Sequence, residues 1–232
     1  MRPVSITPNF IRSADGSCLM ELGRTRVVCT ASIVQGVPRF RLASGLGWVT
    51  AEYGMLPGST GERKSRPVHR PDGRSVEIQR LIGRVLRSVV RFDRLGQNTM
   101  YLDCDVLEAD GGTRTASITG AYVALALAAA RGQGGGVFAR GAVGGAVAGV
   151  SVGIVDGRAV LDLDYAEDSN AAVDMNVAMT RSGKFVELQG TSEGGPFDGE
   201  QLAAMLRLAR RGIRKLLQAQ RRTIADGLGE RK

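Results

Sequence analysis

Residues 76–91 constrain the fold most. Ile78, Leu81, Ile82, Val85, Leu86 and Val89 recur at the spacing of one helix face, while Arg80, Arg84, Arg87 and Arg91 form the opposite stripe. Strand patterns alternate with this amphipathic helix along the chain. Residues 17–22 and 26–34 read as a hairpin turning at Gly23-Arg24, and residues 100–107 alternate with period two. Asp110-Gly111-Gly112 then leads into a helix of small residues over 115–131. Residues 146–155 and 158–165 pair around Asp156-Gly157, a good type I′ turn, and residues 173–180 pair with 184–189 around Ser182-Gly183. Leu202, Met205, Leu206, Ala209, Ile213, Leu216 and Leu217 mark a last amphipathic helix, with Arg207, Arg210, Arg211, Arg214 and Lys215 on its other face. The tail is expected to fray after about residue 222. Residues 35–75 read as long surface loops, and residues 132–149 as a glycine-rich loop running into a strand. With no long linker and no repeat of fixed period, these elements predict one mixed α/β (α+β) domain over residues 1–232.

Composition narrows the chemistry. A single histidine, His69, excludes a His-rich metal site and leaves a Ser-His-Asp triad only one imidazole to use. Cys18, Cys29 and Cys104 are odd in number, widely spaced and without a CxxC, which argues for reduced thiols rather than a disulfide framework or zinc knuckle. The first residues lack an apolar core of the signal-peptide kind, and no window approaches about 18 uninterrupted apolar residues. A cytoplasmic protein without a membrane span is the expectation.

The formal charge of +8 is unevenly spread. Residues 62–94 hold ten basic side chains, including Arg63, Arg66, Arg70, Arg74, Arg80 and Arg84, against four acidic ones. A polyanion is the natural partner of such a segment, because neutralised phosphates release their counterions. A solvated face or a set of subunit contacts is the alternative. Residues 161–180 show the reverse: Asp162, Asp164, Glu167, Asp168 and Asp174 occur with no Lys or Arg. Asp162 and Asp164 are expected on one strand face, Asp168 in the following loop, and Asp174 at the start of the next strand. Clustered carboxylates repel unless a cation or protons lie between them, and hard oxygen ligands suit Mg²⁺ or Mn²⁺. Ion pairing to the arginines, or turn and cap roles for Asp168, is the competing reading. For Asp103 and Asp105, which share a strand face, capping or ion pairing is expected.

The segment Asp110-Gly111-Gly112-Thr113-Arg114-Thr115 joins a strand to a helix. Glycines let backbone N–H groups converge on an anion, the helix N-terminus adds partial positive charge, and Thr113 and Arg114 supply a hydroxyl and a bidentate cation. It is neither a Walker loop nor a dinucleotide fingerprint. Taken alone, it is a weak pattern that reads more readily as a glycine turn with a capped helix than as an anion site.

Longer motifs run in order along the chain: Gly36-Val37-Pro38-Arg39-Phe40, the run 47–57 (GWVTAEYGMLP), Glu77-Ile78-Gln79-Arg80-Leu81-Ile82-Gly83-Arg84, the run 102–107 (LDCDVL), residues 109–122, Glu167-Asp168-Ser169 and Asp174-Met175-Asn176-Val177. Together they resemble the bacterial ribonuclease PH family over residues 2–222 or so. The resemblance implies a ribosomal protein S5 domain 2-like fold and a phosphorolytic 3′→5′ exoribonuclease, a tRNA nucleotidyltransferase that trims tRNA precursors. Inorganic phosphate is its co-substrate and nucleoside 5′-diphosphates are its products. It further implies that Arg74, Gly112, Thr113 and Arg114 hold the attacking phosphate. By the same resemblance Asp168 and Asp174 bind a divalent metal (Mg²⁺ or Mn²⁺) or assist proton transfer, and Arg63 and Arg66 grip RNA. Arg80 and Arg84, on the basic helix stripe, are assigned to RNA with them. The family assembles as a homohexameric ring, a trimer of dimers. The sequence departs from the family pattern at Gly58, where many members carry arginine, and in a slightly shorter loop over 58–74. Two other classes compete: a ring subunit that binds RNA without catalysis, and a basic structural RNA-binding protein. Phosphate attack needs no protein nucleophile, so the scarcity of histidine is compatible with the first reading.

Overall fold

Buried and exposed positions alternate through the N-terminal strands and build a five-stranded sheet. In the computed structural model, which describes residues 1–66 and 72–229, these are β1 (Val4–Pro8), β2 (Gly16–Leu22), β3 (Thr25–Gln35), β4 (Trp48–Met55) and β5 (Asn98–Glu108). Their order is β1-β2-β3-β5-β4. All pairs are antiparallel except β4 and β5, which run parallel. The hairpin expected over 17–34 is β2 and β3.

The expectation of loops throughout 35–75 is corrected. A 3-10 helix (Arg39–Ser44) and β4 lie inside that stretch. Val49, Ala51 and Tyr53 point inward at every second position of β4 and are buried. Glycines and prolines around this short run mask the period, and its ladder partner β5 lies more than forty residues downstream. A parallel pair needs a crossover, and α1 (Gly73–Arg87) supplies it. Asp72 caps α1 by accepting from the Ser75 N–H at 2.7 Å, and Ile78, Leu81, Ile82, Val85 and Leu86 are buried as the pattern predicted. A short helix, α2 (Phe92–Leu95), follows.

The second sheet has the order β7-β6-β8-β9, from β6 (Val147–Val155), β7 (Arg158–Leu161), β8 (Val173–Thr180) and β9 (Phe185–Ser192), all antiparallel. Asp156 and Gly157 take φ of 49° and 74°, as a type I′ turn requires. Strand β7 stops at Leu161 rather than reaching 165, because Asp162 turns the backbone into the left-handed region with φ 65°. After it comes α4 (Tyr165–Ser169).

The small-residue helix α3 (Thr113–Gly134) is buried on nearly every side and packs against both sheets. One apolar core therefore runs from β2 and β3 through α3 to β6 and β8. The last helix, α5 (Gly199–Gly229), covers β6 and continues past the expected fraying point. Its end is tied down: Gln220 Nε2 donates to the carbonyls of Thr119 and Val147 at 2.9 and 3.0 Å, Thr223 donates to Ile6 O at 3.3 Å, and Asn9 donates to Gly227 O at 2.9 Å. Cys18, Cys29 and Cys104 are free thiols, side by side on β2, β3 and β5 and fully buried. Asp103 is not ion-paired among the described residues; it accepts from Thr30 at 3.3 Å, and burial pushes its carboxyl up. Among the described residues no helix is long and apolar enough to cross a membrane.

Candidate active site

The turn between β5 and α3 is built for close backbone approach. Gly111 and Gly112 take φ of 74° and 65°, where a Cβ is strained. A Cβ on Gly111 would lie 2.5 Å from the carbonyl oxygen of Leu163, so the turn rests directly on the backbone that leads into α4. Gly112 caps α3, leaving the first N–H groups of that helix at the end of a left-handed turn, a geometry that favours an anion.

The side chains beside this turn are held in place. Thr113, buried, accepts a hydrogen bond from the Tyr53 hydroxyl at 3.0 Å. Burial pushes the Tyr53 phenol up, which keeps it a neutral donor. Arg114 Nη2 lies 3.1 Å from Glu77 Oε2, and Glu77 also accepts from Gln189 Nε2 at 3.0 Å. Arg114 Nε is buried without a partner among the described residues, on a guanidinium fixed by Glu77.

The acidic segment divides. Asp162 and Asp164 do not share a strand face; Asp162 is buried and paired with Arg2 at 2.7 Å, and Asp164 caps α4 in a capping box with Glu167. For Asp162 the ion-pair reading is correct, whereas the cap role expected of Asp168 belongs to Asp164. Asp168 on α4 and Asp174 on β8 instead face a common cleft. Burial pushes the Asp168 carboxyl up, opposed by Arg74 and Arg114. Asp174 is pushed up to about 6 by burial and then by the neighbouring Asp168 charge, against the pull of Arg114 and Arg74.

The cleft has a volume of about 820 Å³. Arg63, Arg74, Gly112, Thr113, Arg114, Asp168 and Asp174 all line it, so the structure brings together the phosphate set, the carboxylate pair and one of the proposed RNA arginines. Arg66, Arg80 and Arg84 are exposed and outside the lining. Arg84 makes two 2.8 Å hydrogen bonds to Glu187. His69 and Arg70 lie outside the described residues. Among the described residues no three His, Cys, Asp or Glu side chains converge into a metal cage. Two mutually repelling carboxylates that accept no hydrogen bond among the described residues still fit Mg²⁺ or Mn²⁺, since such ions complete their shell with water and substrate phosphate.

Some of the site was not anticipated. Tyr53 and Glu77 lie inside the family-like motifs yet carried no assigned role, because their partners are far off in sequence. Tyr165, Ser151 and Asn176 also line the cleft. For Ser151 and Asn176 the available signal was their pairing across β6 and β8, which a strand alignment would have exposed.

Residues 1–130 match the model of the 3′ exoribonuclease family, domain 1, and residues 145–212 match that of domain 2. The fold is similar to rice (Oryza sativa) Rrp46, at 15% identity and TM-score 0.78, covering 97% of this chain and 95% of that one. It is also similar to a chain of the Archaeoglobus fulgidus exosome with RNA bound to the active site (22% identity, TM-score 0.79, 94% and 87% covered). An archaeal exosome core chain matches at 22% identity and TM-score 0.73, covering 95% of this chain and 87% of that one. With these two family models spanning most of its length, on a mixed α/β fold of the ribonuclease PH type, the chain belongs to the 3′ exoribonuclease family.

Proposed function

We propose that this protein is a phosphorolytic 3′→5′ exoribonuclease of the bacterial ribonuclease PH kind, which trims tRNA precursors in the cytoplasm as a hexameric ring, a trimer of dimers. The observation that carries the reading is the shared cleft: Arg74 and the Gly112-Thr113-Arg114 turn stand with Asp168 and Asp174 around one space. A shared fold with a chain of the Archaeoglobus fulgidus exosome, an assembly described with RNA bound to its active site, supports it.

An oxygen of inorganic phosphate attacks the phosphorus of the last internucleotide linkage. The P–O3′ bond breaks, the 3′ oxygen of the shortened RNA takes a proton, and a nucleoside 5′-diphosphate leaves. Two anions must be held against their repulsion, so the main work of the protein is electrostatic and positional. Arg74, the helix N-terminus at Thr113 and the Arg114 guanidinium hold the attacking phosphate. Asp168 and Asp174 would hold a divalent metal, Mg²⁺ or Mn²⁺, whose chemistry when bound is to neutralise phosphate charge. Arg63, Arg66, Arg80 and Arg84 take the RNA backbone, with Arg63 nearest the reaction. Arg84 would exchange its Glu187 partner for a phosphate.

The deciding experiment supplies a 3′-extended tRNA, Mg²⁺ and phosphate. Nucleoside diphosphates formed in proportion to phosphate are expected; monophosphates, or turnover indifferent to phosphate, would sink the proposal. Arg114→Ala should remove about 2–4 kcal/mol of transition-state stabilisation.

A further inference from the structure

The phosphate turn and the carboxylate pair come from different halves of the chain, and one side chain outside the cleft ties them together. Arg2, just before β1, donates its backbone N–H to Asp162 Oδ2 at 2.7 Å. Its guanidinium meets the same carboxylate twice, from Nε to Oδ2 at 3.2 Å and from Nη2 to Oδ1 at 2.7 Å. Nη1 donates to the carbonyl of Asp110, the residue that opens the turn. Nη2 lies only 3.1 Å from where a Cβ on Gly112 would stand, so the guanidinium backs directly onto the turn.

The other end of this contact is strained. Asp162 takes φ 65°, a left-handed conformation that is strained for a non-glycine residue and persists only when its surroundings fix it. Its side chain is 0% exposed, and Arg2 is the cation beside it. A buried pair of this kind is weak evidence for stability, because desolvation offsets the Coulomb gain; what it does supply is a fixed relative placement. The segment it places begins with Leu163, whose backbone touches Gly111, and continues into α4 and Asp168.

We propose that Arg2 and Asp162 are positioning residues of the phosphate site, setting the spacing between the Gly111-Gly112 turn and the segment that carries Asp168. The inference rests on the phosphorolytic reading for its effect on turnover, but not for its effect on phosphate binding. Arg2 touches no reacting atom in this arrangement; it acts through the turn.

Calorimetric titration of inorganic phosphate into the wild type, Arg2→Lys and Asp162→Asn tests the placement directly, alongside KM for phosphate and for RNA in the diphosphate assay. Both variants keep side-chain size, and melting curves show that each is folded at the assay temperature. The phosphate Kd and KM are expected to rise at least about tenfold, with KM for RNA held within about twofold, the scale expected when a site is misplaced by a fraction of an ångström. A merely structural role would lower the melting temperature while leaving the phosphate constants alone, and that result overturns the proposal. An equal rise in both KM values does so too. If the wild type binds phosphate but releases no diphosphate, the phosphorolytic reading fails while the Kd comparison still decides the role of Arg2. A wild type that does not bind phosphate refutes both.

Discussion

Arg114 Nη2 is held 3.1 Å from Glu77 Oε2, so a residue of the basic helix α1 fixes the guanidinium at the head of α3. Glu77 is itself fixed by Gln189 from the second sheet. Charge-assisted contacts of this kind set direction as well as energy. Glu77→Ala is expected to raise KM for phosphate by about three- to tenfold, with a smaller change in kcat, because Arg114 keeps its charge and loses its aim. An unchanged phosphate dependence in initial-rate measurements would show that Arg114 needs no such support.

Among the described residues the Tyr53 hydroxyl has a single polar task, its 3.0 Å bond to Thr113. By donating to Thr113 Oγ1 it leaves the threonine proton free to point at a bound anion. Tyr53→Phe should cost about 0.5–1.5 kcal/mol of stability, the usual value of such a bond. Phosphate affinity should fall with it while RNA affinity stays unchanged, as titration of each ligand separately would establish.

Asp174 makes stability depend on pH in a direction opposite to most acidic residues. Its carboxyl is raised to about 6, so between the ordinary aspartate range and 6 the folded protein binds a proton that the unfolded chain does not. Metal-free protein should therefore gain stability from this site as pH falls through 6, and lose it as pH rises. Asp174→Asn should stabilise the metal-free protein by about 1–2 kcal/mol at pH 7.5, after discounting for solvent screening, and by almost nothing at pH 4. Asp110 and Asp72, whose carboxyls are held low by Arg24 and by the Ser75 N–H, act oppositely at lower pH, so the comparison is variant against wild type at each pH. Denaturant melts across this range in EDTA would measure the difference; a destabilised variant at pH 7.5 contradicts the assignment.

Ring assembly is expected to give a light-scattering mass six times that of the 24.6 kDa chain. A monomer that still trimmed tRNA would separate the chemistry from the ring.

Much of this molecule is written locally. The apolar stripe of α1, the I′ turn at Asp156-Gly157 and the helix-opening Gly112-Thr113-Arg114 each follow from spacing over a few residues, because helix and strand periods are short-range properties. The carboxylate pair was legible as composition, an acidic island in a basic chain, although the sequence did not sort its members. Asp162 and Asp164 left the cluster through one contact with Arg2 across the chain and one capping bond within α4, and Asp168 and Asp174 remained to line the cleft. Strand β4 was hidden because its partner β5 is nonlocal and the turns around it obscure its period. The length of α5 was set by Gln220 and Thr223 reaching carbonyls on β1, α3 and β6, contacts that no window of sequence contains. The sequence by itself determined which residues carry charge, which can open a left-handed turn and which face is apolar. Only the tertiary structure decided which charges neutralise each other and which remain to meet a ligand, since that depends on distance and desolvation between segments brought together by the core.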